Sequence, residues 1–199
     1  MTNIDSKTLE NSYTYVEFRS LVTNALANNP DSLNLADEYL PYAELNETRL
    51  KRLDKTLKLT DEVVSNLQQL QRKYLWVVIT ESWCGDAAQI VPVLNKMAEA
   101  TDNIELKLVF RDQNLDLMDA FLTNGGRAIP KLIIADATTK NILGHWGPRP
   151  VLAQKVVTDY KAAHGVVDEN GKTELQMWYT KDKGYEVQKE VIDLIASFE

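Results

Sequence analysis

Seven consecutive residues, Tyr74-Leu75-Trp76-Val77-Val78-Ile79-Thr80, carry no charge and are rich in β-branched and aromatic types. They do not alternate between apolar and polar, so a strand built from them must be covered on both faces. A sheet with helices on either side meets that requirement. The residues that follow supply the layers. Asp86 to Ala100 puts Ile90, Val93, Leu94 and Met97 on one helical face. Ile104 to Phe110 reads as a second strand and Asn114 to Leu122 as a short helix. Lys131 to Ala135 and Ile142 to Trp146 read as a hairpin across the turn at Asp136 to Asn141. Pro150 then suits the first turn of a helix running to His164. This order predicts an α/β fold with a mixed sheet.

The flanks read as helical. Apolar positions at Tyr15, Phe18, Leu21, Val22, Ala25 and Leu26 form one stripe, closed by Asn29-Pro30. Asn46 is placed as the cap of a helix presenting Leu50, Leu53 and Leu57, and Thr60-Asp61 as the start of another through Leu70. After Val166, Asp168 to Gly171 reads as a loop and Leu175 to Tyr179 as a short strand, before a final helix from Tyr185 to Phe198. The expected division is a helical extension over 1–73, an α/β core over 74–164 and a C-terminal loop and helix over 165–199.

With 44% hydrophobic and 26% charged residues, the 199-residue chain is of ordinary globular composition, long enough for a substantial core. A net charge of −7 with no basic run argues against nucleic acid as a partner. No apolar run approaches the ~20 residues of a membrane span, and the polar N-terminus lacks signal-peptide character. A single cysteine, Cys84, excludes an internal disulfide. The expectation is a cytoplasmic protein in a reducing compartment, with no membrane association.

Cys84 sits where the apolar strand gives way to a helix, a place where free N–H groups and the positive helix end favour a thiolate. Asp86 opposes this. At an effective dielectric of ~20 to 40 and ~7 Å, its charge repels a thiolate by roughly 1–2 kcal/mol. The helix end contributes about 0.3–1 kcal/mol, up to ~2 in good geometry. The two nearly cancel, so local sequence does not predict an acidic thiol. A lone intracellular cysteine is otherwise an inert small hydrophobe.

From Trp76 to about His164 the chain resembles the thioredoxin fold. Trp83-Cys84-Gly85 is similar to the tryptophan, first cysteine and glycine of the thioredoxin active site. Pro92 stands where a proline interrupts that family's active-site helix. Gly126-Arg127-Ala128-Ile129-Pro130 before Leu132-Ile133-Ile134 resembles the segment ending in a cis-proline beside the sulfur, and Gly147 resembles the glycine of the groove's third wall. More closely, WCGDA, RDQNLDLMD, TNGGRAIPKLI and WGPRP resemble the bacterial thioredoxin-9-type family across nearly the whole chain.

The departures matter. Ala87 replaces the resolving cysteine, and Val78 stands where thioredoxins bury a carboxylate serving that second sulfur. The resemblance therefore implies a monothiol cycle at most: Cys84 reacts with a protein or low-molecular-weight disulfide, and an external thiol resolves the mixed species. The alternative is a redox-inactive module that binds a peptide or protein in the groove. Glu81, in place of a threonine, argues against a peroxiredoxin, and the Gly-Gly-Asp of monothiol glutaredoxins is missing after the hairpin.

The residues expected at the groove are Trp83, Cys84, Gly85, Asp86, Ile129, Pro130, Trp146, Gly147 and Arg149, with Cys84 as the nucleophile. Arg149 is placed to reach the sulfur, to hold a substrate carboxylate or to pair with Asp86. His145 and His164 belong to no metal-ligand pattern, so neither metal nor cofactor is expected.

Overall fold

The computed structural model describes residues 2–199. Its sheet has the order β2-β1-β3-β4, formed by β1 (Tyr74–Thr80), β2 (Ile104–Phe110), β3 (Lys131–Asp136) and β4 (Ile142–Trp146). β1 pairs parallel with β2 and antiparallel with β3, which pairs antiparallel with β4. Every residue of β1 is buried, as an apolar run without alternation requires.

Helices cover the sheet, and their apolar residues join its core. The helices are α1 (Ser6–Glu10), α2 (Tyr15–Asn28), α3 (Leu40–Thr56), α4 (Asp61–Gln68), α5 (Gly85–Glu99), α6 (Leu115–Asp119), α7 (Val151–His164), α8 (Glu169–Asp182) and α9 (Tyr185–Ala196).

 The start of α2 is fixed by a capping box between Thr14 and Glu17. α3 begins at Leu40, six residues ahead of its expected cap, because Pro41 favours a first turn there. Asn46 is therefore inside the helix and buried, and its amide donates to the Ser82 carbonyl at 2.9 Å. α2 and α3 are tied by Arg19, which donates to Glu47 (2.9 Å) and to Asp54, while the Tyr15 hydroxyl donates to Asp54 at 2.6 Å.

The tail departs most from expectation. Residues 169–182 form α8, where a loop and a short strand were predicted. Asp168 is its N-cap: the carboxylate accepts from Gly171 N at 3.0 Å and from the Tyr160 hydroxyl at 2.7 Å. The polar run that resembled a turn is thus a capped first turn. Leu175 and Tyr179, four residues apart, are both buried on the inner face. A side chain at Gly171 would come within 2.7 Å of the Tyr160 ring, so glycine permits α7 and α8 to meet closely.

Residues from α2, α4, α8 and α9 share one apolar cluster with the sheet and α5. The N-terminal segment also meets both margins of the sheet, through Tyr13 against Leu108 and Asn3 against Asn141. The terminal helices are consequently walls of the core, and two of them, α3 and α8, reach the end of the sheet where Cys84 lies.

Candidate functional site

Cys84 lies between β1 and α5 in extended backbone, and its sulfur accepts from Ala87 N at 3.5 Å. The thiol donates in turn to the Ile129 carbonyl at 3.4 Å. With 7% of the residue exposed, burial pushes the Cys84 thiol up to about 12. The Asp86 charge acts in the same direction, while N–H groups of Ala87 and Asp86 and the Arg149 guanidinium oppose it more weakly. The helix start is real, but loss of water outweighs it.

Asp86 is itself buried and fully engaged. One carboxylate oxygen accepts from the Tyr179 hydroxyl at 2.8 Å, and the other meets Arg149 at 2.6 Å. Of the three roles open to Arg149, the structure shows the pairing with Asp86. Its Nε is buried without an acceptor among the described residues.

Ile129-Pro130 is cis, as is Gly147-Pro148. Gly147 has φ of +107°, and a side chain there would come within 2.5 Å of the Pro130 carbonyl oxygen. Behind these loops, the buried Lys131 donates to Thr123 Oγ1 at 2.6 Å and to the Gly147 carbonyl at 2.9 Å. One ammonium thereby ties the segment before Pro130 to the segment after β4.

A cleft of about 520 Å³ opens over Cys84. Of the residues named from sequence, Trp83, Gly85, Asp86, Ile129 and Arg149 line it. Pro130 and Gly147 stand behind the lining, packed on each other. Trp146 is a correction: its indole points to α9 and donates to Glu190 at 2.8 Å. Trp83 stacks on Tyr39 with centroids 4.6 Å apart, and the Arg111 guanidinium lies 4.9 Å from its centroid.

Sequence reasoning missed the walls contributed by the flanks. Tyr39, Tyr42 and Arg49 come from the N-terminal helical region, and Lys172, Leu175 and Gln176 from α8. Arg49 follows Asn46 at helical spacing and donates to its side chain at 2.8 Å, a pattern visible in the sequence once both are on one helix. Gln176 and Tyr179 were hidden by the strand reading of that segment. Glu81 was weighed only as a replaced threonine. It is a buried carboxylate that accepts from Asp112 N at 3.0 Å, and burial pushes it up to about 7.

Among the described residues, no group of histidine, cysteine and carboxylates is arranged to hold a metal, and no helix is long and apolar enough to cross a membrane. Residues 33–161 match the thioredoxin-9 family model, whose description is thioredoxin. The chain belongs to this thioredoxin family. No curated protein matches it. Among solved structures, it is similar to a Pseudomonas aeruginosa protein of unknown function, at 18% identity over 94% of this chain and 99% of that one, with a TM-score of 0.58. It is also similar to an HIV epitope-scaffold, at 20% identity over 93% of this chain and 99% of that one, with a TM-score of 0.55. These likenesses concern the fold, and both extend over the flanking helices as well as the thioredoxin-like centre.

Proposed function

We propose that this thioredoxin-family chain is a binding module whose cleft over Cys84 holds a ligand, with the thiol kept neutral. One observation carries the reading: the Cys84 thiol is buried, bonded to the Ile129 carbonyl and pushed up to about 12. At that value roughly one thiol in 10⁵ is ionised at neutral pH, and the thiolate is the nucleophile. The single cysteine removes an internal resolving partner. The cleft, by contrast, is well developed, and α3 and α8 wall it on two sides.

A second reading is favoured by the placement of Cys84 in the cleft, with its sulfur against the Ile129 carbonyl. In it, Cys84 is a monothiol oxidoreductase. Its thiolate attacks one sulfur of a substrate disulfide, a mixed disulfide forms, and the other sulfur leaves as a thiolate. An external thiolate then attacks the partner's sulfur, forms a new disulfide with it and releases Cys84 as the thiolate.

The rate of iodoacetamide alkylation against pH separates the two. The expected result is slow alkylation at neutral pH, rising only in strongly alkaline solution, with no mixed disulfide formed from glutathione disulfide. An apparent value at or below the ordinary thiol's ~8.5, with a mixed disulfide trapped on Cys84, establishes the second reading and overturns the first.

A further inference from the structure

The chain carries a net charge of −7, yet four arginines and one lysine line the cleft against a single carboxylate, Asp86. Most of these cations are already matched. Arg149 pairs with Asp86, Arg111 with Asp112, Arg127 with Asp119 and Lys172 with Glu169. Arg49 is different. Its one protein acceptor among the described residues is the Asn46 side-chain oxygen, and no carboxylate lies within ion-pair distance. Arginine keeps its charge even where burial opposes it, so a half-buried guanidinium faces the cleft with donors to spare. Withdrawing such a charge from water is unfavourable until a counter-charge arrives.

A second donor converges on the same place. Gln176 uses its oxygen to accept from Gln89 Nε2 at 2.8 Å, and its own Nε2 has no acceptor among the described residues. A methyl group placed on Gly85 would lie 3.5 Å from Arg49 Nη1 and 3.4 Å from Gln176 Nε2. The two donors therefore address one point over Gly85, next to Cys84. The lining of the cleft also supplies apolar surface from Ile129, Pro148, Val157, Val167 and Leu175. The volume of about 520 Å³ falls within the roughly 300–1,000 Å³ typical of small-molecule sites.

We propose that the cleft binds a small organic anion, with an oxyanion head between Arg49 and Gln176 over Gly85 and an apolar body against Ile129, Pro148 and Leu175. This deepens the reading of the cleft as a binding site and rests on it. Carboxylate and phosphate heads share the chemistry, since a guanidinium offers paired donors to either. Asp86 is paired directly with Arg149 and bonded by Tyr179, and its charge acts on Arg49 only without contact, so Arg49 is the cleft cation with no direct ion pair among the described residues.

Calorimetric titration of the full chain with 1-naphthoate, 1-naphthyl phosphate and the neutral 1-naphthalenemethanol tests this. At least one anion is expected to bind about tenfold or more tightly than the alcohol, and the two anions show which head fits. Arg49→Gln is expected to bring the anions down to the alcohol's affinity, whereas Arg49→Lys retains part of the preference. Thermal melts confirm that both variants are folded. Equal affinity for anion and alcohol, no binding of either anion, or an unchanged anion preference in a folded Arg49→Gln variant overturns the proposal. Running the same titrations on Cys84→Ser keeps the inferences apart: anion binding there is independent of the thiol, while the alkylation profile decides the state of Cys84 whether or not an anion binds.

Discussion

Replacing Glu81 with Gln isolates the energetic consequence of burying a carboxylate three residues before Cys84. The Glu81 carboxyl rises from 4.5 to about 7 in the folded chain, chiefly through desolvation. The native state therefore holds a proton that the unfolded state releases between these values. Stability contributed by that proton is fully present below pH 4.5 and is lost as pH rises to about 7. At about 1.4 kcal/mol for each tenfold change in proton affinity, the loss is about 3 kcal/mol. Glutamine keeps an oxygen to accept from Asp112 N and carries no charge, so Glu81→Gln is expected to lack this pH dependence. Urea denaturation of both proteins at about pH 4.5, 6 and 8 measures it. The variant should be close to wild type in acid and more stable by up to about 3 kcal/mol in mild alkali. His145 and Asp182 also shift, but they are common to both proteins and cancel in the difference. Parallel stability curves across that range would refute the argument.

Other substitutions address the walls of the cleft. Arg149→Met leaves Asp86 buried with one partner and is expected to cost about 3–5 kcal/mol in urea denaturation. Asp86→Asn removes the second cause of the high Cys84 value, so alkylation should set in at lower pH than in wild type while remaining shifted upward by burial. Gly147→Ala places a methyl group 2.5 Å from the Pro130 carbonyl oxygen at φ of +107°. It should lower stability by at least about 2 kcal/mol, visible as a reduced melting temperature.

The apolar run at 74–80 and the helix and hairpin patterns after it were enough to specify the layers, because each element has to bury what its period exposes. The segment 168–182 was not legible in the same way. Asp168-Glu169-Asn170-Gly171 has turn composition, and the same residues serve as an N-cap and first helical turn when Tyr160 supplies a neighbour for Asp168. Asn46 misled for a related reason. A cap-forming side chain was instead bonded to Ser82, 36 residues away.

At the site, sequence alone determined the single sulfur at a strand-to-helix junction, the missing second sulfur and the opposing charge of Asp86. Those facts limit the chemistry whatever the fold. Tertiary structure decided the state of the thiol and the character of the cleft. Burial against Ile129 raises the thiol far more than nearby helix donors lower it, and burial is a property of the assembled core. Arg49 and Gln176 meet over Gly85 only because α3 and α8, one from each end of the chain, pack on the same end of the sheet. Electrostatic balance at such a point depends on distance and on access to water, and neither is encoded in any local stretch of sequence.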